Sequence, residues 1–196
     1  MIKEFDYNSP YFVGKVKNHN KYKQDLIAKI NKASCDSLIQ NDDYYKDNIN
    51  RVDWNDCHNM ERDWVVESKP YLSDYLSEWA TSIHFDEWTI NQIWFQQYYN
   101  NGSHGWHTHG SNFTGVYYVD LPKETPKTQL ALHNGKIVNV DVEEGDVLIF
   151  PSYVIHKAPR NKSNKTKTII SFNLDVIKPN IDYLNNILEK NIAEAE

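Results

Sequence analysis

The second half of the chain, from Trp88 onward, constrains the fold more strongly than any other part of the sequence. Residues 88–176 contain short runs rich in β-branched and aromatic side chains, and turn signals separate these runs. An Asn-Gly pair at 134–135 predicts a hairpin turn, and the sequence EEGD at 143–146 predicts a second turn. About five to eight short antiparallel strands of this kind predict a mainly β fold of the α+β class, namely a jelly roll with helices packed on one sheet.

Three segments outside this core have helical periodicity. Residues 21–33 carry an apolar stripe, and residues 68–85 carry another, with Ser68 as the expected N-cap and Pro70 in the first turn. Apolar residues also recur at helical spacing over 180–195, which predicts a closing C-terminal helix. The two earlier helices are expected to cover one face of the sheet.

The chain is expected to form a single domain over residues 1–196. Within it, residues 1–87 form a mainly helical and irregular N-terminal part, residues 88–176 the jelly-roll core, and residues 180–195 the last helix. Residues 34–60 are polar and aromatic without a sustained period. They are therefore predicted to be an irregular segment and a candidate substrate lid.

Composition narrows the setting in which such a protein works. The formal net charge is −6, and binding of duplex nucleic acid is not expected because it requires clustered Lys and Arg side chains. The N-terminus has no signal-peptide pattern and the sequence has no run of about 18 apolar residues, so no membrane association is expected. Cys35 and Cys57 form neither a disulfide framework nor a zinc motif, and the expected location is the cytoplasm.

Histidines are crowded in one short segment, at His104, His107 and His109. Alternate residues of an extended segment point to the same side, so His107 and His109 can offer two imidazoles to one metal ion. His156 follows a turn, an apolar strand and a proline, and is the candidate third ligand. Neutral imidazole suits Zn, Fe, Cu and Ni, and three ligands leave coordination positions open. By itself the HxH spacing is also typical of a hydrophilic loop. His104 could support the ligands or face the substrate, but the favoured interpretation is a solvated loop residue.

Two longer segments resemble a known family. They are YNNGSHGWHTHGSNFTGVYYVDLP at 99–122 and EEGDVLIFPSYVIHKAPRNKSNKTKTIISFN at 143–173. Together they resemble the 2-oxoglutarate- and Fe(II)-dependent oxygenase superfamily, in particular its small branch with an HxH metal segment. The resemblance extends roughly over residues 90–176. It implies a cupin-like double-stranded β-helix, Fe(II) as the metal and 2-oxoglutarate as cosubstrate.

The resemblance also assigns the metal ligands and a cation for the cosubstrate. It makes His107, His109 and His156 the three ligands. Most members have Asp or Glu at the second position, where this chain has His109, so the site is less anionic than in most of the superfamily. In the family an Arg or Lys on the last strand pairs with the distal carboxylate of 2-oxoglutarate. Lys167, eleven residues after His156, occupies that position.

Two further residues are assigned to the cosubstrate. The superfamily often has a tyrosine, followed by two residues and a glycine, that donates a hydrogen bond to 2-oxoglutarate, and this pattern points to Tyr99. Tyr98 is the alternative, and strand register alone separates the two because neighbouring residues face opposite sides of a sheet. Asn173, on the same predicted strand as Lys167, is also a candidate.

The function that the resemblance implies is that of a 2-oxoglutarate- and Fe(II)-dependent dioxygenase. Such an enzyme hydroxylates its substrate and releases succinate and CO2, and here the substrate is an unidentified small molecule or peptide. The first alternative is a cupin-like three-histidine protein that does not use 2-oxoglutarate, either a direct dioxygenase or a small-molecule binding module. The second is an interaction protein without metal. A buried cation at Lys167 is expected for a 2-oxoglutarate enzyme and not for a three-histidine protein that acts directly on its substrate. The sequence does not predict the oligomeric state.

Overall fold

The computed structural model describes residues 10–41 and 46–195. This part of the chain contains eleven strands, three α-helices and one 3-10 helix. The helices are α1 (His19–Lys32), α2 (Asp63–Ser82), α3 (Ile181–Ala195) and the 3-10 helix Trp54–Asp56. The strands are β1 (Phe12–Lys15), β2 (Asp36–Asn41), β3 (Lys46–Val52), β4 (Phe85–Tyr98), β5 (His104–His107), β6 (Phe113–Asp120), β7 (Gln129–Ala131), β8 (Ile137–Asn139), β9 (Asp146–Pro151), β10 (Ile155–Ala158) and β11 (Lys167–Pro179).

The strands form two antiparallel sheets. The larger sheet has the order β1-β9-β6-β11-β4-β3-β2, and the smaller one has the order β5-β10-β7-β8. Apart from the β7–β8 hairpin, which lies wholly in the smaller sheet, consecutive strands from β4 to β11 alternate between the sheets, as in a jelly roll with two facing sheets. The predicted jelly-roll core and the mainly β fold class are confirmed.

Side chains that alternate along the central strands divide the apolar core into two layers. In β4, Phe95 packs in the cluster that contains α1 and α2, whereas Trp94 and Tyr98 pack in the cluster that contains the smaller sheet. The same alternation separates Ile149 from Leu148 in β9. Because successive residues of a strand face opposite sides, each central strand contributes to both layers. The larger sheet thus lies between the helices and the smaller sheet.

The predicted hairpin at 134–135 and the predicted turn at 143–146 are both confirmed. Leu132 donates its N–H to the carbonyl of Lys136 at 2.8 Å, which closes the turn between β7 and β8. Gly135 in this turn has φ 79°, and Gly145 in the turn before β9 has φ 86°. Both values lie in the left-handed region that glycine adopts without steric cost.

Helix α1 confirms the helix predicted over 21–33, but α2 begins five residues earlier than the sequence predicts. Trp64 and Val65 are buried, so the helix extends back to include them. Ser68 is therefore inside the helix, where its hydroxyl donates to the carbonyl of Val65 at 3.1 Å, and Pro70 is an interior residue. The predictions of Ser68 as N-cap and Pro70 in the first turn are wrong. A proline inside a helix costs about 3 kcal/mol, which burial of two large side chains outweighs.

The prediction that residues 34–60 are irregular is wrong for Asp36–Asn41 and Lys46–Val52, which form strands, whereas residues 53–60 contain only a short 3-10 helix and turns. Strands β2 and β3 pair with each other, and β3 joins β4 at the edge of the larger sheet. The alternation in β3 is carried by Asp47 and Ile49, which are both buried. A strand is recognised in sequence by apolar residues at alternate positions, and here a carboxylate occupies one of those buried positions. Residues 42–45 lie outside the described residues.

Helix α3 confirms the predicted C-terminal helix but does not close the core. Its apolar side chains that the structure describes are exposed by 37–60% at Ile187, Leu184, Ile181 and Leu188. Across the described residues, no helix combines the length and the apolar character needed to span a membrane.

Candidate metal centre

Two short strands of the smaller sheet bring three histidines together. Strand β5 ends at His107, and its antiparallel pairing with β10 places His107 directly opposite His156. Opposed residues project to the same face, so their rings meet. His109 lies two residues beyond β5, and its N–H donates to the carbonyl of Ser152 at 2.9 Å, which fixes this segment against the turn before β10. The ligand nitrogens of the three histidines lie within 4.8 Å of one another.

The local hydrogen bonds orient two of these rings. Nδ1 of His107 lies 2.8 Å from the carbonyl oxygen of Gly105, and Nδ1 of His156 lies 3.0 Å from that of Val154. A carbonyl oxygen only accepts, so each Nδ1 carries the proton and donates. The lone pair of each ring is then on Nε2. This is the arrangement in which a second partner fixes the tautomer of a metal-binding histidine.

Burial also keeps these imidazoles neutral, which is the form that binds a metal. It lowers the pKa of His109 to about 3 and lowers the pKa of His156 well below its ordinary value. The pKa of His107 is also lowered by burial, although its hydrogen bond to Gly105 opposes the shift. Three neutral, preoriented imidazoles on one face are a donor set that fits a divalent transition metal.

A fourth histidine and a carboxylate form the adjoining wall of the site. His104 is not a solvated loop residue as predicted, because it lies in β5 and its ring stacks on His107 with centroids 3.7 Å apart. Gln96 donates to its Nδ1 at 3.3 Å, which leaves the proton on Nε2. That nitrogen lies 3.6 Å from Oδ2 of Asp47, and Oδ1 of Asp47 accepts the N–H of Gly105 at 2.7 Å.

Lys167 is fully buried at the start of β11, opposite Tyr98 in β4. Its Nζ donates to the carbonyl of Pro126 at 3.0 Å and lies 4.7 Å from the centroid of the Tyr98 ring. Burial lowers the pKa of Lys167 to about 7. Within the described residues no carboxylate forms an ion pair with it, so this ammonium group lacks the anion that normally accompanies a buried charge. The buried ammonium group of Lys167 can therefore pair with the carboxylate of a ligand.

The structure contradicts the assignment of Tyr99 and favours its neighbour. Tyr99 is 40% exposed and lines a surface depression together with Arg51 and Thr168, on the helix side of the larger sheet. Tyr98 is 1% exposed and faces the histidines and Lys167. Its hydroxyl is buried and has no hydrogen-bond partner in the described part of the structure. A buried hydroxyl without a partner fits a ligand oxygen.

Asn173 does not reach the site either. It is buried, accepts a hydrogen bond from Thr114 at 3.2 Å and donates to Gln92 at 2.8 Å. Protein side chains therefore already satisfy its amide, and it lines neither of the cavities beside the histidines. We interpret it as a residue that joins β11 to its two neighbouring strands.

Two cavities meet at the histidines. The outer pocket has a volume of about 800 Å³ and opens between β3, β4 and β5. The inner cavity, of about 20 Å³, lies between the sheets and has room for a water molecule. Ile169 and Ser171 line the inner cavity, and Lys167 is on the same face of β11 because residues two apart share a face. The metal centre thus separates a large outer space from a small inner one that leads towards the buried cation.

Comparison with protein families gives a match to the family described as "Putative 2OG-Fe(II) oxygenase" over residues 124–173. This match includes His156 and Lys167 and covers about a quarter of the chain. No curated protein matches the sequence.

Solved structures share the fold over most of the chain. A Pseudomonas putida prolyl-4-hydroxylase superposes with a TM-score of 0.58 and 11% identity, covering 84% of this chain and 92% of that one. The non-heme alpha ketoglutarate dependent epimerase SnoN from nogalamycin biosynthesis gives a TM-score of 0.65 with 10% identity, covering 85% and 76%. HygX from Streptomyces hygroscopicus, solved with nickel and 2-oxoglutarate bound, gives 0.59 with 10% identity, covering 87% and 83%.

These findings confirm the resemblance stated from the sequence. The fold is the double-stranded β-helix of 2-oxoglutarate- and Fe(II)-dependent oxygenases. The family match contains His156 and Lys167, and the three-histidine group is a donor set that fits iron, so the chain is similar to oxidoreductases of this class over that segment.

Proposed function

We propose that the protein is a dioxygenase that uses O2 to hydroxylate a C–H bond of its substrate and to convert 2-oxoglutarate to succinate and CO2, with one oxygen atom entering the substrate and one entering succinate. One observation supports this most strongly. The three-histidine group and the buried cation Lys167 lie on the facing sheets of one barrel, with the inner cavity between them. The metal-binding group and the carboxylate-binding group are thus in one site.

The metal ligands in this proposal are His107, His109 and His156. Each ring is neutral and at least partly buried, and two have their Nε2 directed by hydrogen bonds at Nδ1. When bound, Fe(II) together with 2-oxoglutarate would allow O2 to act as the oxidant, which the side chains alone cannot do. The chain itself orients the ligands and excludes water, since Phe150 and Trp94 pack against the rings of His156 and His109.

Lys167 and Tyr98 are proposed to hold the distal carboxylate of 2-oxoglutarate. The Lys167 ammonium supplies the charge, and the hydroxyl of Tyr98 supplies a hydrogen bond that it does not make within the protein. Charge-assisted hydrogen bonds of this kind are about twice as strong as neutral ones. Because the inner cavity is about 20 Å³, the dicarboxylate enters by displacing side chains between the histidines and Lys167.

The three-histidine alternative has one feature in its favour, which is that His109 replaces the usual carboxylate ligand. A protein of that kind acts directly on its substrate and needs no buried cation. The complete burial of Lys167 without a carboxylate partner among the described residues therefore favours the 2-oxoglutarate enzyme.

The substrate is proposed to be a small molecule or a peptide rather than duplex nucleic acid. No Lys or Arg lines the outer pocket in the described part of the chain, whereas a duplex requires clustered cations. We also propose a cytoplasmic location, which the two unpaired cysteines support.

Turnover of the cosubstrate tests this function without a known substrate. The purified protein, given Fe(II), oxygen and 2-oxoglutarate, is expected to form succinate slowly, as followed by NMR. His156→Ala is expected to reduce the rate at least about tenfold because the ligand set is incomplete. His58→Ala, at an exposed histidine outside the site, is the matched control and is expected to match the unmodified protein. Succinate formation no faster than without protein would contradict the proposal.

A further inference from the structure

We propose that the outer pocket binds an organic cation, an ammonium or guanidinium group carried on an aliphatic chain. This inference rests on the proposed function, because it identifies the substrate class of the same site. The supporting observation is that a buried carboxylate, Asp47, lines the same pocket of about 800 Å³ as several tryptophan rings and apolar side chains.

The carboxylate is the only charged side chain that lines the pocket in the part of the chain that the structure describes. Asp47 is 4% exposed. Its Oδ1 accepts the N–H of Gly105, while among the described residues Oδ2 has only the N–H of His104 near it, at 3.6 Å. That separation is too long for a hydrogen bond. Oδ2 is therefore free to accept a hydrogen bond from a cationic ligand.

Tryptophan rings form the walls opposite this carboxylate. Trp54, Trp94 and Trp106 all line the pocket. Trp106 already has a cation near its face, since Nζ of Lys157 lies 4.4 Å from its centroid. Trp54 is 41% exposed and contacts Trp94 edge-to-face at 4.5 Å, so an indole face remains available at the rim. Indole is the side chain that attracts cations best.

The remaining lining favours an aliphatic stem. Leu38, Ile49, Val52 and Ile155 add an apolar surface between the rim and the histidines. A long side chain with a terminal cation buries its methylene groups against such a surface and keeps the charge at a polar group. A substrate anchored at Asp47 then lies beside His104 and His107, which places its carbon chain next to the metal ligands.

Charge balance supports a cation in spite of the neighbouring metal. Three neutral imidazoles contribute no charge, and the charges of Fe(II) and of dianionic 2-oxoglutarate cancel. Among the described residues that line the pocket, Asp47 then supplies the net negative charge. A carboxylate beside low-dielectric walls attracts an opposite charge and excludes anions.

The test is a binding measurement on the protein loaded anaerobically with Fe(II) and 2-oxoglutarate. Calorimetry compares Nα-acetyl-lysine amide with its neutral isostere Nα-acetyl-norleucine amide, and then Nα-acetyl-arginine amide. We expect a cationic probe to bind at least about tenfold more tightly than norleucine amide, which corresponds to about 1.4 kcal/mol. Free lysine is a further arm, and equal binding of free and blocked lysine indicates a free metabolite whereas binding of the blocked form alone indicates a peptide. Both results support the proposal.

Two variants assign the preference to the pocket. Asp47→Asn keeps an acceptor for Gly105 and is expected to reduce the preference for the cation to less than about threefold. Trp54→Leu, at the exposed rim, removes an indole face. It is expected to weaken the binding of the cationic probe more than the binding of norleucine amide. Asp141→Asn, at a fully exposed carboxylate, is the matched control and is expected to leave both affinities unchanged. The Trp54 variant keeps the test decisive if Asp47→Asn does not fold.

Other outcomes overturn the inference. Equal binding of lysine and norleucine amides, tighter binding of a neutral planar probe such as thymidine, or an unchanged preference in both variants would each exclude a cation site. Failure of the proposed function is seen separately, because the loaded complex then does not form. Formation of that complex without a cation preference contradicts only the substrate class.

Discussion

Replacing Lys167 with methionine is expected to weaken 2-oxoglutarate binding by about 100-fold. Removing one partner of a buried, hydrogen-bonded charge pair costs about 2–5 kcal/mol, and each 1.4 kcal/mol is a factor of ten in affinity. Methionine has a similar length, so packing against Tyr98 is retained while the charge is lost. Anaerobic calorimetry with the Fe(II)-loaded protein measures the effect. Lys127→Met, at a more exposed lysine paired with Asp141, is the control.

The same lysine is expected to make the stability of the ligand-free protein depend on pH. Burial lowers the pKa of Lys167 to about 7 from an ordinary value of 10.5. The unfolded chain therefore binds this proton below about pH 10.5, and the folded protein binds it only below about pH 7. Stability then rises with pH between these values, because the unfolded state holds more protons there. The expected cost of burial is about 4 kcal/mol at pH 7 and disappears above about pH 10.5.

Denaturant unfolding of both forms separates this contribution from other titrating groups. Between about pH 7 and pH 9.5 the free energy of unfolding of the unmodified protein is expected to rise by about 3 kcal/mol relative to Lys167→Met. At neutral pH the variant is expected to be the more stable of the two. An unchanged affinity for 2-oxoglutarate in the variant, or parallel stability curves, would show that Lys167 is not the buried carboxylate-binding cation.

Replacing His156 with alanine is expected to lower the Fe(II) affinity by at least about 100-fold. A three-ligand site has no spare donor, and loss of an oriented imidazole removes about a third of the coordination supplied by the protein. Competition with a chromophoric chelator under anaerobic conditions measures the affinity. The metal is also expected to raise the unfolding temperature of the unmodified protein and not that of the variant, since a ligand stabilises the state that binds it.

His104→Ala distinguishes a ligand from a neighbour. His104 stacks on His107 but is outside the group whose ligand nitrogens lie within 4.8 Å. Its replacement is therefore expected to cost less than about tenfold in Fe(II) affinity. An equal loss for His104→Ala and His156→Ala would contradict the assignment, and so would an unchanged affinity in His156→Ala.

The sequence was informative about the histidine group, because local patterns were sufficient to identify its members. The HxH spacing and the strand that precedes His156 are local patterns, and the pairing of β5 with β10 turned them into a three-nitrogen group. The resemblance placed Lys167 at the position of the family's cation for 2-oxoglutarate, and the structure shows it buried on the sheet that faces the histidines.

The tyrosine assignment failed because register is a tertiary property. The sequence contains two adjacent tyrosines, and only the pairing of Lys167 with Tyr98 shows which of them faces the barrel interior. Tyr99 then projects to the other side, where it is exposed. Because neighbouring strand residues face opposite sides of the sheet, a register shift of one residue exchanges the inward-facing and outward-facing side chains.

The contact of Asp47 with His104 could not be predicted, although a place beside the metal ligands was one interpretation of His104. Strand β3 consists largely of polar residues, and its buried positions include a carboxylate that is stable there because Gly105 and His104 approach it from β5. Those contacts are long-range, and propensity and periodicity describe only local preferences. Functional sites are where local patterns are expected to fail, because chemistry there overrides the usual burial of apolar residues.

The central claim is that one barrel holds a histidine-bound metal and a keto acid together. The most direct measurement is an anaerobic titration with Fe(II) and 2-oxoglutarate that follows the visible metal-to-ligand charge-transfer band of a chelated keto acid. The account predicts a band in the unmodified protein, no band in His109→Ala, and a weakened band in Lys167→Met at the same 2-oxoglutarate concentration. Metal binding without a band at saturating 2-oxoglutarate would contradict it and would favour a three-histidine protein that uses no cosubstrate.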